Sequence, residues 1–162
     1  MDGADVTDPY GGDIFSVNLN YDAVQEVEVK ALGAEAADGS SMVGQFMNIV
    51  TKSGGNDLHG SAAFFMIPQS FNTSNVTGIA ANQRKDYQPD TTLGGPIVRN
   101  RVWFFGSYRR VQRDQTFNNA PVPVSSRGNL WFMKITTQVN NNQRLQVSVQ
   151  YDKVIQENAV IR

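Results

Sequence analysis

The chain has 162 residues, 40% of them hydrophobic and 18% charged, with a net charge of −1. Near-neutrality excludes a global basic field for nucleic acid, and the absence of cysteine excludes disulfide frameworks, cysteine nucleophiles and thiolate metal sites. The single histidine cannot form a histidine cluster, and no apolar run reaches the ~18 residues of a transmembrane helix.

The opening Met1-Asp2-Gly3-Ala4-Asp5 is polar and acidic. It lacks the basic region and apolar stretch of a secretory leader, which predicts a chain that is mature or truncated if it is exported. Residues 21–26 are the most helix-like stretch, with Asp22 placed to cap a turn. From Glu26 the pattern alternates, with Val27, Val29 and Ala31 opposite Glu28 and Lys30, and a short strand is predicted. Residues 33–41 are small and polar and read as a loop. Residues 46–52 read as a second strand, ended by Ser53-Gly54-Gly55-Asn56-Asp57.

Five longer strands are predicted after that break, over residues 58–67, 87–98, 102–115, 128–139 and 144–155. Gly94-Gly95-Pro96 fits poorly inside a central strand, because proline donates no ladder bond. Polar segments 69–86 and 116–127 read as long loops, and Arg99-Asn100-Arg101 and Asn140-Asn141-Asn142-Gln143 as tight turns. In the last strand Leu145, Val147, Val149 and Tyr151 share one face, opposite Gln146, Ser148, Gln150 and Asp152. In the strand before it Trp131, Met133, Ile135 and Val139 are set against Asn129, Lys134, Thr136 and Gln138, with Phe132 as an exception. Such alternation says that one face is apolar, not whether it meets a core or lipid. The connections alternate long and short, as in membrane barrels with short periplasmic turns and long external loops. A soluble sandwich with long hairpins, serving as a structural or adhesive protein that binds a partner through its loops, stays open on pattern alone.

Several runs go further. Asp2-Gly3-Ala4-Asp5-Val6-Thr7-Asp8-Pro9 and Tyr21-Asp22-Ala23-Val24-Gln25-Glu26-Val27-Glu28-Val29 resemble the plug of Oar-like TonB-dependent outer-membrane receptors. Asn48-Ile49-Val50-Thr51-Lys52-Ser53-Gly54 resembles the last plug strand, and His59-Gly60-Ser61-Ala62 the opening of the barrel. Leu93-Gly94-Gly95-Pro96-Ile97-Val98, Arg99-Asn100-Arg101 and Val102-Trp103-Phe104-Phe105-Gly106-Ser107-Tyr108 are similar to the second and third barrel strands. The motifs stand in family order. The chain departs from the family at Ala37-Asp38-Gly39-Ser40-Ser41 and Gly44-Gln45, which lack the usual Tyr, Arg and paired Gly.

The resemblance implies a mainly β fold. Residues 1–57 would be the C-terminal part of a plug, and residues 58–162 about five antiparallel strands of an incomplete transmembrane β-barrel. The complete barrels have about 22 strands. The plug-to-barrel junction would comprise Asn48, Val50, Thr51, Lys52, Ser53, Gly54, His59 and Gly60, in a structural role. The resemblance also implies residence in the bacterial outer membrane and contact with its lipid. It implies uptake of an unidentified ligand, energised by a TonB complex that grips a segment absent from this chain. It implies no cofactor, no catalysis and no nucleic-acid partner. A nutrient importer of the SusC type is an alternative, but Val50 to Gly60 is more Oar-like.

Other constellations weigh less. Asp2, Asp5, Asp8 and Asp13 with Gly11-Gly12 fail the spacing of a calcium loop. His59 has no evident nucleophile beside it in the sequence, so a structural role is expected. Arg99 and Arg101 are expected at a short turn, and Arg109, Arg110 and Arg113 near the external rim, where lipid phosphates lie. Asn72-Thr73-Ser74 and Asn75-Val76-Thr77 are chance sequons. The 69–86 segment is the expected ligand-facing loop.

Overall fold

The computed structural model describes residues 1–2, 6, 20–30, 46–74, 82–117 and 122–158. The predicted 33–41 loop and all of the acidic N-terminal cluster except Asp2 lie outside these residues. Two antiparallel sheets form. Strands β1 (Val24–Lys30) and β2 (Phe46–Thr51) pair as a two-stranded ribbon. Strands β3 (His59–Ile67), β4 (Gln83–Val98), β5 (Val102–Thr116), β6 (Val124–Asn140) and β7 (Gln143–Glu157) pair in chain order in an open five-stranded sheet. Among the described residues no pairing joins β3 to β7, so this sheet does not close on itself.

The helix-like opening is a single 3-10 turn, Tyr21–Ala23, and its cap is Asn20 rather than Asp22. The Asn20 side-chain oxygen accepts from the Asp22 N–H at 3.1 Å. Strand β4 begins four residues before the predicted position 87, and β6 four before 128. Apart from Val124 these extensions are polar on both faces, so periodicity does not reveal them. Cross-strand partners hold them instead. Arg84 and Arg113 converge on Asp86 at 2.6 and 3.0 Å, and the Ser125 hydroxyl donates to Asp114 at 2.6 Å. Gly94-Gly95-Pro96 does lie within β4. Pro96 faces Trp103 and the register shifts between Pro96 and Val98, the local irregularity that proline requires. The turn to β5 has Asn100 at φ 61°, a left-handed position that Asn tolerates.

Side chains of the large sheet divide sharply between its two faces. On β6, Gly128, Leu130, Phe132, Lys134 and Thr136 are buried, while Asn129, Trp131, Met133 and Ile135 are exposed. Asn129 therefore belongs with Trp131, which corrects its assignment to the polar face. It donates nothing inward, and its Oδ1 accepts from the Tyr108 hydroxyl at 2.8 Å. Phe132 breaks the alternation because the inner face is covered there. Phe105, Phe132 and Ala23 form a small core, with the two phenyl rings 6.3 Å apart.

The outer face carries Phe64, Met66, Leu93, Ile97, Trp131, Met133, Ile135, Val139, Leu145, Val147, Val149 and Tyr151, all exposed. A continuous apolar face of this size on a monomer marks a surface that meets something other than water. From Trp131 to Val139 it runs about 26 Å along β6, the span of the outward apolar band of a membrane barrel. Tyr108, Trp131 and Tyr151 stand opposite one another across β5, β6 and β7. The Tyr108 and Trp131 rings lie 4.2 Å apart, and the three form an aromatic row at the band's upper edge.

Candidate functional site

The seam between the ribbon and the inner face of the large sheet concentrates the buried polar chemistry. Lys134 is 3% exposed and would be costly there alone. Its ammonium donates to the Asp2 carboxylate at 3.2 Å, to the Thr51 hydroxyl at 3.1 Å and to the Thr51 carbonyl at 3.3 Å. Thr51 closes the triangle, because its N–H donates to Asp2 at 2.9 Å and its hydroxyl also donates to that carboxylate. The chain start is pinned further by the Asp2 N–H, which donates to the Ile49 carbonyl at 2.9 Å.

A second knot lies one strand away. Asp90 on β4 and Arg109 on β5 are register partners, both buried, and the Arg109 Nε donates to the Asp90 carboxylate. The turn ahead of the ribbon supplies three more groups. The Asn20 amide donates to Asp90 at 3.4 Å, Asp22 accepts from Arg109 at 3.3 Å, and the Tyr21 ring lies 5.5 Å from the guanidinium carbon. These contacts join residues 87 and 132 positions apart in the chain.

Between ribbon and sheet, residues 52–58 pass over the lower ends of β4 and β5. Asn56 accepts from the Trp103 indole N–H at 2.8 Å and the Asn100 N–H at 2.9 Å, and donates to the Asn100 side chain at 2.6 Å. A Cβ at Gly54 would stand 2.1 Å from the Phe104 carbonyl oxygen and 2.9 Å from that of Gly95. Gly54→Val is therefore expected to push the connector off the sheet and cost about 1–3 kcal/mol, the usual range for overpacking. Denaturant unfolding of the whole receptor in detergent checks this, and a variant as stable as the parent would contradict the close approach.

The predicted junction residues are distributed along this path. Thr51 is at its centre. Asn48 and Val50 are half-buried ladder partners of Glu28 and Glu26, and the Lys52 N–H donates to the Ala23 carbonyl at 2.7 Å. Ser53 is half-buried, and Gly60 is the second residue of β3, opposite Leu93. His59 is exposed, with Nδ1 3.0 Å from the Asp57 carbonyl and the imidazole against Gly94. Sequence reasoning did not pick out Asn20, Asn56 or Asp90, and it gave Asp22, Arg109 and Lys134 other roles. The available signal was a charge at a polar-face position of a strand, which gives no partner. Arg109 and Arg113, expected at the external rim near lipid phosphate, instead stand at inner-face positions of β5, where they pair with Asp90 and Asp86. Among the described residues no group of three His, Cys, Asp or Glu is placed to hold a metal.

Burial alone would raise the Asp2 pKa, but the Thr51 hydroxyl and amide and the Lys134 ammonium outweigh it and hold the carboxyl below its ordinary range. A carboxyl whose folded pKa lies below its unfolded value stabilises fully at neutral pH. That stabilisation fades as pH falls through the ordinary carboxylate range towards the folded value. The stability gap between the parent and Asp2→Asn is therefore expected to narrow from pH 7 to pH 3.5. Thermal unfolding at stepped pH measures it, and a constant gap would show that Asp2 does not titrate through the seam.

An open antiparallel sheet with an apolar outer face, an aromatic row and a polar inner face covered by a second element is the wall of an outer-membrane barrel with part of its interior filling. The comparisons agree. Residues 50–160 match the family model described as "Outer membrane beta barrel domain", and the chain belongs to that family. It is 32% identical over 135 residues to the TonB-dependent transporter Oar of Myxococcus xanthus, an alignment that takes in 73% of this chain. The chain spans 12% of that relative's length. No solved structure matches it. The protein is an outer-membrane β-barrel chain. A soluble adhesive sheet does not account for the exposed apolar band.

Proposed function

We propose that this chain is the part of an active outer-membrane transporter where the plug meets the barrel wall. The boundary falls between residues 57 and 58, with Asn48, Val50, Thr51, Lys52, Ser53, Gly54, His59 and Gly60 forming the junction. The observation that carries the reading is the paired ionic seam, in which Lys134, Arg109 and Asp90 of the wall hold Asp2, Thr51, Asp22 and Asn20 of the inner ribbon and the segments beside it. Among the described residues the ribbon is bound by a few charged and hydrogen-bonded contacts rather than by a wide apolar interface. Such contacts keep a lumen closed yet can be parted without unfolding the wall. The similarity to a TonB-dependent transporter supports energy from the TonB system, and the short turns 99–101 and 141–142 support a periplasmic lower end. The protein performs no catalysis in this reading. Its ligand belongs to the classes too large or scarce for passive pores, such as siderophores, cobalamin, glycans or peptides.

The test is depletion of such compounds from medium by cells that make the whole receptor, followed by mass spectrometry. Depletion that stops when a protonophore collapses the proton gradient is expected. Depletion that continues without the gradient would identify a passive pore, and no depletion of any class would remove the transport reading.

A further inference from the structure

Beyond the aromatic row the outer face gains positive charge on β5, β6 and β7, while exposed Met66 and Ile155 stand in the row of Arg127. In the next row towards the long loops, Arg110 on β5, Asn129 on β6 and Lys153 on β7 are mutual register partners. One step beyond, Arg127 on β6 stands opposite Gln112 and Ile155. All three cations and Asn129 are exposed on this face. None of the three cations has an ion-pair partner among the described residues, in contrast to the inward-facing Arg109, Arg113 and Lys134. With strands about 4.8 Å apart and about 3.3 Å per residue, the three Cα atoms form a triangle of roughly 8–10 Å sides around Asn129. The Asn129 oxygen is taken by the Tyr108 hydroxyl, so its amide N–H groups are what it can offer a ligand.

We infer that Arg110, Arg127, Lys153 and Asn129 bind the phosphate-bearing headgroup of an outer-leaflet lipid. The cluster offers donors and positive charge and no free carboxylate in its centre, which suits a phosphate rather than a zwitterion or a sugar alone. Its place selects a lipid over free phosphate. It sits directly above Trp131, Met133, Val149 and Tyr151, so a headgroup held by the cations would lay its acyl chains along the apolar band. The inference rests on the proposed sidedness, with the long-loop end outside. That leaflet carries phosphorylated glycolipid.

The experiment uses the whole receptor purified in detergent, titrated with diphosphoryl lipid A and read by native mass spectrometry. The parent is expected to retain lipid A, and R110Q/R127Q/K153Q to retain it at least tenfold less while keeping its heat-modifiable mobility, which reports a folded barrel. R144Q, a surface cation at the opposite end, is expected to retain lipid like the parent. Unchanged retention in the triple variant, equal loss in R144Q, or competition by inorganic phosphate at equal concentration would each overturn the inference. A cysteine at exposed Thr73, labelled on intact cells with an impermeant maleimide, tests the sidedness separately. No labelling removes the reading on which the inference rests, whereas labelling with unchanged retention removes the headgroup site alone.

Discussion

Replacing Arg109 with leucine is expected to lower the stability of the whole receptor by about 3–5 kcal/mol, the range for stripping one partner from a buried ion pair. Asp90 is 2% exposed and would remain in place with its charge unanswered, apart from the Asn20 amide. Asp22 would also lose its contact across the seam. The damage should reach the ribbon as well as the wall, so limited proteolysis should cut the segment before residue 58 sooner in Arg109→Leu than in the parent. A second substitution separates charge from shape. Asp90→Asn added to Arg109→Leu removes the uncompensated carboxylate and should recover a large share of the loss. Denaturant unfolding in detergent gives both values. A single variant within 1 kcal/mol of the parent, or a double variant no better than the single, would show that the pair is not a buried dependency.

The second large effect is expected on the opposite face. Met133 is 61% exposed and lies in the middle of the apolar band, flanked by β5 and β7. In water this exposure would make its replacement nearly neutral. In a bilayer, Met133→Arg places a cation against hydrocarbon and is expected to cost about 2–4 kcal/mol. The same change at Asn129, four residues along β6 on the same face but beyond the aromatic row, should cost about 0–1 kcal/mol, since it stands at the interface. Folding titrations into lipid vesicles compare the two. Equal, small effects at both positions would mean that the face does not meet lipid. Taken together, the two experiments address the two solvents of this wall, a polar lumen on one side and hydrocarbon on the other.

In the proposed role, the seam would let a plug be both held and released. Asp2–Lys134 and Asp22–Arg109 cross the seam, so a pull that separates the surfaces exposes these groups to water, where they are readily solvated, while Asp90–Arg109 stays paired within the wall. An apolar interface of the same area would resist separation and leave sticky surfaces behind. The small Phe105, Phe132 and Ala23 core provides registration without dominating the contact.

Much of the wall was legible in the residues alone. Period-2 alternation in 128–139 and 144–155, the turns at 99–101 and 140–143, and the break at 53–57 depend on local backbone preference, and local preference is what a sequence encodes directly. The ordered family motifs resolved what alternation leaves open, whether the apolar face meets a core or lipid, and they kept Gly94-Gly95-Pro96 inside a strand. The polar ends of β4 and β6 escaped because a strand with two polar faces has no period to read. The inward turn of Arg109 and Arg113, the burial of Lys134 and the capping of the chain start by Thr51 were decided only by the tertiary structure. Their partners lie up to 132 residues away, and a charge at a strand position carries no record of which distant carboxylate folding will set beside it.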